Sequence, residues 1–230
     1  VISRAQSEWS KDVTEPELGG AFERINIYIK SREGAGWSWE KDYIKDKSGN
    51  PVLGPNGLIQ PLRVGTSYVI GRKSSTSDEN IWDGKILRAF EDKYWAYHLG
   101  ISTSNSKELN SKSIGIEICN YGPLTLGRDG RYYNYVSKPI NDEDVVELSK
   151  PFRGYTHWEK YTDAQLEAVY KLLIYWKSRY GIPLTYNPAM WEVNEDALNG
   201  KAGVWTHVSF REDKSDCHPQ PELIAMLKSL

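Results

Sequence analysis

The chain has 230 residues, and its 29 Lys and Arg residues nearly balance its 31 Asp and Glu residues, which leaves a formal net charge of −2 at pH 7. This length favours one domain with insertions, and the balanced charge disfavours nucleic acid or an anionic membrane as a partner. No apolar run reaches the roughly 18 residues of a membrane span. The chain has 28 aromatic residues but only 4 His and 2 Cys. The aromatic residues suggest surfaces for stacking ligands, while so few His and Cys residues limit metal chemistry and exclude a disulfide framework.

The first third of the chain predicts one strand between two polar segments. Residues 1–22 are polar and predict an N-terminal arm or a short helix. In NIYIKS, residues 26–31, apolar side chains recur at alternate positions, which is typical of a half-buried strand. Residues 32–63 are rich in Gly, Pro, Asn and Asp and predict a long functional insertion.

The middle of the chain predicts a hairpin and a central strand. SYVIGR at 67–72 and KILRAF at 85–90 have strand composition, and an Asp-Gly pair at 83–84 predicts the turn between them. SIGIEICNYG at 113–122 is rich in isoleucine and predicts a central strand. A second insertion, rich in Gly, Asp and Tyr, is expected near 122–157.

The last third predicts a strong helix, a short strand and a terminal helix. In YTDAQLEAVYKLLIYWKSRYGIP, Thr162 and Gln165 form a capping-box pattern, apolar residues recur every three or four positions, and Gly181 ends the helix. A short strand is expected at 204–208 and a helix over PELIAMLKSL. We therefore predict an α/β fold with a mixed central sheet flanked by helices, in one domain over residues 23–230 behind the arm.

Five collinear blocks resemble one enzyme family. The blocks are TSYVIGR with DGKILRAF, KYWAYHLG, LNSKSIGIEICN, WEKYTDAQLEAVYKLLIYWKSRYGIP and THVSFREDKSDCHPQP. In order and spacing, over residues 64–225, they resemble the N-acetylmuramoyl-L-alanine amidases of the type-2 amidase superfamily, which includes phage endolysins, recycling amidases and peptidoglycan-recognition proteins. The resemblance implies a mainly parallel sheet flanked by helices. It also implies hydrolysis of peptidoglycan or muropeptides by a soluble monomer that acts on the bacterial wall from outside the cell, from the periplasm or from a phage.

The resemblance also implies a zinc site. In that family two His residues and an Asp or Cys hold Zn²⁺, and the fourth position is left to water, as expected for a catalytic zinc. His207 matches the second histidine and Asp216 the third ligand, with Cys217 as an alternative to Asp216. Lys214 matches the cation that faces the developing oxyanion.

Further site residues follow from the same blocks. Glu117 matches the strand carboxylate that acts as general base, and a Glu between isoleucines is costly unless it is paired or functional. Tyr68 lies near the position of a tyrosine that orients the substrate carbonyl, although a core role is also open. His98, Trp95 and Asn110 are expected to line the substrate groove. His157 and His218 are expected to lie in solvated loops and to have no role in the site.

One family ligand has no counterpart. The first zinc histidine follows the first strand in the family, but here the strand ends in Lys30-Ser31, and no histidine precedes His98. In one hypothesis Cys217 or His157 completes the site. In the other the metal is weak or lost, and the charge of Lys30 replaces it.

The second hypothesis leads to a different class of protein. On the same fold, the chain would be a catalytically degenerate peptidoglycan-binding protein or a phage structural protein. Four Trp residues in turn-rich segments would then stack on sugar rings, although ordinary packing explains them equally well: Trp37, Trp39, Trp82 and Trp95.

Overall fold

A computed structural model describes residues 2–5, 46–55, 57–58, 65–74, 80–88, 92 and 95–230. The described part contains eight strands and four α-helices. The strands are β1 Ile2–Ala5, β2 Tyr68–Ile70, β3 Ile86–Arg88, β4 Ile116–Cys119, β5 Thr125–Leu126, β6 Tyr132–Tyr133, β7 Val145–Phe152 and β8 Tyr155–Glu159. The helices are α1 Ser106–Ser111, α2 Asp163–Tyr180, α3 Glu195–Leu198 and α4 Pro221–Lys228. None of these helices is long and apolar enough to cross a membrane.

The central sheet has four strands in the order β1-β4-β2-β3 and is mixed, as predicted. β4 is parallel to both β1 and β2, while β3 is antiparallel to β2. The two segments predicted as a hairpin therefore do pair, and Gly84 in the turn between them has φ +69°, in the left-handed region that favours glycine. β4 lies between two parallel neighbours, which confirms the central strand.

The two faces of this sheet have different roles. In the register of β2 and β4, Tyr68 and Ile70 lie opposite Ile116 and Ile118, and all four belong to the main hydrophobic core with the apolar side of α2. Because side chains alternate along a strand, the pair Val69 and Glu117 lies on the other face. The sheet thus separates a packed helix side from the side that carries the strand carboxylate.

Helix α2 begins and ends where its sequence predicts. Thr162 accepts a hydrogen bond from the backbone N–H of Gln165, whose side chain reaches back to the N–H of Thr162. Gly181 adopts the left-handed conformation at the C-terminus, with φ +67°. The helix packs its buried side against the sheet, with Val169 fully buried.

Two predictions along the chain need correction. No strand forms at 204–208; residues His207–Ser209 form a 3-10 helix instead. The Thr206 backbone N–H donates to the Ser209 hydroxyl, and both hydroxyls donate to the Met190 carbonyl, so side chains take the hydrogen bonds that a sheet partner would have made. At the other end of the chain, Ile2–Ala5 in the expected arm is a strand of the sheet.

The insertion near 122–157 contains two hairpins, β5-β6 and β7-β8. The sequence did not predict the longer one, because half of the residues of β7 are exposed and the strand lacks the alternating apolar pattern of a half-buried strand. The predicted strand at 26–31, with Lys30, Trp37 and Trp39, lies outside the described residues.

A buried ion cluster attaches the β7-β8 hairpin to the sheet. Arg72, which follows β2, donates from Nη2 to Oδ1 of Asp144 at 2.9 Å, and its Nη1 lies 3.5 Å from Oε1 of Glu159. Lys73 adds a contact of 3.1 Å to Asp144. The other oxygen of Glu159 accepts from the backbone N–H of Tyr121. Charges from three separate elements therefore neutralise one another beneath the insertion.

Candidate functional site

The strand carboxylate is held by a neighbouring hydroxyl. Glu117 lies in β4, and the Thr66 hydroxyl donates to its Oε1 at 3.1 Å. Thr66 is 4% exposed, whereas Glu117 is half-buried. A carboxylate on a central strand with a bonded oxygen has restricted rotamers, so the fold holds Glu117 in a defined orientation.

A glycine brings His98 close to this carboxylate. A Cβ atom at Gly115, two residues before Glu117, would lie 2.5 Å from Cγ2 of Thr66 and 3.2 Å from the His98 ring. The absence of a side chain at Gly115 therefore allows Thr66 and His98 to meet over the start of β4. His98 thus lies in the same cluster as Glu117, on the face away from α2.

The His98 ring is fixed at both nitrogens. Nδ1 donates to the Ala96 carbonyl at 2.9 Å, and Nε2 lies 2.9 Å from the Ser113 hydroxyl. Burial, with a smaller contribution from the charge of His207, lowers the pKa of His98 to about 3. His98 is therefore a neutral ring at physiological pH, with the proton on Nδ1 because a carbonyl can only accept.

His207 and Asp216 form a contact pair. Nδ1 of His207 lies 2.7 Å from Oδ2 of Asp216, and Nε2 donates to the Leu99 carbonyl at 2.9 Å. Burial raises the pKa of Asp216, but the hydrogen bond and the charge of His207 outweigh it and, with a smaller contribution from Lys214, hold that pKa below its usual value. The pair thus holds an ionised carboxylate beside the ring.

The alternative ligand, Cys217, is directed away from this pair. It is 1% exposed and belongs to the hydrophobic core, and burial raises the pKa of its thiol far above the usual value. Its backbone has φ +63°, so the chain turns sharply between Asp216 and the core. The structure therefore brings Asp216, and not Cys217, to the ring of His207.

Tyr68 lies on the opposite face of the sheet from Glu117. Its ring packs edge-on against Trp176 of α2, with centroids 5.0 Å apart, and its hydroxyl donates to Asp92 at 2.5 Å. Burial raises the pKa of this phenol, and the bond to Asp92 raises it further. The structure does not bring Tyr68 together with Glu117.

The residues expected to line the groove have different surroundings. Asn110 is fully buried, and its Oδ1 accepts from the backbone N–H groups of His98 and Leu99, so it supports the segment that carries His98. Trp95 is half-buried and lines a cavity of about 680 Å³. Trp82, one of the aromatic residues considered for stacking, is 3% exposed.

Neither of the remaining histidines lies in a solvated loop. His157 is in β8, where its ring stacks on Tyr132 with centroids 4.5 Å apart. His218 is 1% exposed and lies between the rings of Trp158 and Tyr161, at 4.8 and 4.4 Å. The expectation of two histidines in solvated loops was wrong, because His157 belongs to a strand and stacks on Tyr132, while two aromatic rings bury His218.

The described residues do not complete a catalytic zinc site. A zinc ligand needs a ring nitrogen with a free lone pair, but both nitrogens of His207 face oxygen atoms. Throughout the part of the chain that the structure describes, no group of three His, Cys, Asp or Glu residues is placed to hold a metal ion. His207 and Asp216 supply two donors, one fewer than a catalytic zinc requires.

Two residues of this cluster were not predicted from the sequence. Thr66 and Ser113 contact Glu117 and His98 through their hydroxyls. Each lies two or three residues before the start of a strand, but nothing in the local sequence pattern distinguishes these hydroxyls from those of other Ser and Thr residues. Only the parallel pairing of β2 with β4 brings Thr66 beside Glu117.

Comparisons with known proteins agree with this architecture. The family model Amidase_2, described as N-acetylmuramoyl-L-alanine amidase, matches residues 40–220. No curated protein and no solved structure matches the chain. Members of the matched family typically depend on zinc. Since the match spans well over half of the chain, the protein belongs to the Amidase_2 family of N-acetylmuramoyl-L-alanine amidases.

Proposed function

We propose that this protein hydrolyses the amide bond between the lactyl group of N-acetylmuramic acid and the L-alanine of the stem peptide in peptidoglycan. Family membership supports the substrate class. The observation that carries the proposal is the hydrogen bond of 3.1 Å that holds Glu117 against Thr66 on a central strand. A rigid carboxylate on the face of the sheet away from α2 is what a general base requires.

In the proposed reaction, Glu117 takes the proton of the attacking water as the carbonyl carbon becomes tetrahedral. Lys214, whose charge already contributes to the low pKa of Asp216, stabilises the developing oxyanion. The neutral His98 lines the site beside Gly115 and orients the substrate. Glu117 then gives the proton from water to the amide nitrogen as the C–N bond breaks, which releases the stem peptide with a free amino group.

The metal requirement is a separate point. Zinc dependence is typical of the family, and the sequence resemblance assigns His207 and Asp216 as two of its ligands. The described part of the chain supplies only two metal ligands, so the roles of general base and oxyanion stabiliser are assigned to Glu117 and Lys214 without a metal. The metal requirement is tested separately, by measuring the metal content of the protein and its activity with added Zn²⁺ or with a chelator.

The direct test is release of stem peptide from purified muropeptide. We expect Glu117→Gln to lower kcat by about 10²–10⁴-fold, the range for loss of a general base. The matched control is Glu167→Gln, which alters an exposed carboxylate on α2 and should leave the rate unchanged. Equal activity of the Glu117→Gln variant and the unmodified protein would exclude the proposed role.

A second candidate function is peptidoglycan binding without hydrolysis. Its support is the placement of His207, whose two ring nitrogens bond to Asp216 and to the Leu99 carbonyl as in a structural histidine. In that case the protein would sediment with cell-wall sacculi and release no peptide with or without Zn²⁺. Stoichiometric zinc that is lost in His207→Ala would argue against this alternative.

A further inference from the structure

A groove beside the β7-β8 hairpin is lined by residues other than those around Glu117 and His98. It has a volume of about 610 Å³ and lies between the tip of the hairpin and the segment around the 3-10 helix Pro188–Trp191. Three apolar or aromatic residues and three charged residues carry the argument: Phe152, Trp191, Phe210, Arg153, Glu192 and Glu212.

The aromatic rings of the groove are held in place. Nε1 of Trp191 donates to the Tyr186 hydroxyl at 3.0 Å, which fixes the orientation of the indole. Phe152 meets Trp191 edge-on, with centroids 6.5 Å apart, and packs on the other side against the fully buried Trp158. Phe152 and Trp191 are both half-buried. The groove therefore offers rigid aromatic surface that needs little ordering when a ligand binds.

The charged side chains around these rings are unpaired in the part of the chain that the structure describes. Among its residues, Arg153, Glu192 and Glu212 form no salt bridge with one another or with any other side chain. By contrast, the two lysines that line the larger cavity, Lys112 and Lys201, are each paired with a carboxylate. The guanidinium of Arg153 lies 6.0 Å from the centroid of the Phe152 ring. One donor group and two acceptor groups thus surround the aromatic surface and are available to a ligand.

This combination selects a class of ligand. Aromatic faces suit the C–H faces of sugar rings, and hydroxyl groups can donate to carboxylates while accepting from a guanidinium. The two carboxylates outnumber the one cation, which disfavours nucleic acid and other polyanions. We infer that this groove is a secondary binding site for a neutral glycan. The choice of a β-1,4-linked N-acetylglucosamine chain as the ligand rests on the proposed function.

The test is binding of chitohexaose, a neutral hexamer of β-1,4-linked N-acetylglucosamine, by isothermal calorimetry with the full chain. We expect Trp191→Ala and Phe152→Ala each to weaken binding at least tenfold. The matched control is Tyr175→Ala, which removes an aromatic ring that is 46% exposed on α2, and it should bind as the unmodified protein does. Thermal melting checks that each variant is folded.

Two further variants keep the test decisive if Trp191→Ala fails to fold. Trp191→Phe retains a ring but loses the hydrogen bond to Tyr186, and the double variant Glu192→Gln, Glu212→Gln changes only exposed side chains. Both should bind more weakly than the unmodified protein.

The inference is overturned by any of three results. The first is that chitohexaose shows no binding at millimolar concentration, and the second is that the groove variants bind it with unchanged affinity. The third is that a free stem peptide, and not a glycan, displaces the bound chitohexaose. Because binding is measured without hydrolysis, Trp191-dependent binding by an inactive protein would contradict the proposed function and leave this inference intact.

Discussion

The hydroxyl of Thr66 restrains the orientation of Glu117. Thr66 is 4% exposed and its hydroxyl reaches a carboxylate 51 positions later in the chain. A hydrogen bond to a charged group contributes about 1.5–3 kcal/mol. Its loss removes one restraint on the orientation of the carboxylate without removing the carboxylate itself, so Thr66 is a positioning residue for the proposed base.

We therefore expect Thr66→Val, which keeps the shape of the side chain but removes the hydroxyl, to lower kcat roughly tenfold with little change in KM. Thr66→Ser, which keeps the hydroxyl, should restore most of the rate. Combining Thr66→Val with Glu117→Gln should give no further loss, because the hydroxyl acts through the carboxylate. A loss confined to KM would contradict this positioning role.

The buried ring of His98 makes stability depend on pH. Its pKa is about 3 in the folded protein and about 6.5 in the unfolded chain. Between pH 3 and pH 6.5 the unfolded chain therefore binds a proton at His98 that the folded protein does not bind. With respect to His98, the free energy of unfolding should therefore be highest above pH 6.5 and should decrease as the pH falls towards 3.

The measurement is the free energy of unfolding by urea, taken at several pH values in the presence of a chelator. Between pH 6 and pH 4.5 we expect a slope that approaches about 1.4 kcal/mol per pH unit. His98→Gln should flatten the profile in this range, above the range in which Asp216 and other carboxylates take up protons. An equally steep profile in the variant would assign the dependence to another group.

At the scale of elements, the start of α2 joins two parts of the fold. Thr162 caps the helix through the backbone N–H of Gln165 at 3.1 Å, and its hydroxyl also donates to Asp83, in the turn between β2 and β3, at 2.6 Å. The cap thus ties the longest helix to the sheet hairpin in addition to satisfying a helix N–H group.

We expect Thr162→Ala to lower the free energy of unfolding by about 1–2 kcal/mol, the upper part of the range for loss of an N-cap, because the contact with Asp83 is lost as well. Thr162→Ser keeps a capping hydroxyl and should lose less than half as much. Urea unfolding followed by circular dichroism measures both changes. A loss in Thr162→Ser equal to that in Thr162→Ala would assign the effect to the methyl group.

At the scale of the whole molecule, the buried cluster around Arg72 decides whether the insertion stays attached to the sheet. Arg72 and the two carboxylates that it contacts, Asp144 and Glu159, are each no more than 6% exposed. Removing the guanidinium would leave both carboxylates buried without their main counter-charge, which is far more destabilising than the loss of a surface ion pair.

Arg72→Met should therefore lower the free energy of unfolding by about 3–5 kcal/mol. The matched control, Lys73→Met, removes a neighbouring cation whose side chain is 33% exposed, and should have an effect of about 1 kcal/mol or less. Both values come from urea unfolding at pH 7. If the two substitutions had equal effects, the buried cluster would not be the attachment between the insertion and the sheet.

An element could be predicted from the sequence when the residues that specify it lie close together in the chain. Helix α2 has its caps and its apolar stripe within 20 consecutive residues, and the hairpin of β2 and β3 has its Gly84 turn, so both were confirmed. The 3-10 helix at His207 depends on the Met190 carbonyl, and β1 depends on pairing with β4, more than 100 positions away. Neither partner is visible in a local pattern.

The sequence by itself determined the family blocks, the mixed sheet, the main helix and the position of Glu117, because these follow from local periodicity, capping and ordered motifs. Only the tertiary structure decided that Thr66 holds Glu117, that Asp216 and not Cys217 meets His207, and that Tyr68 lies on the other side of the sheet from Glu117. The physical reason is that a side chain's partners depend on which strands pair and in which register. In a sheet, a shift of a single residue moves a side chain to the opposite face.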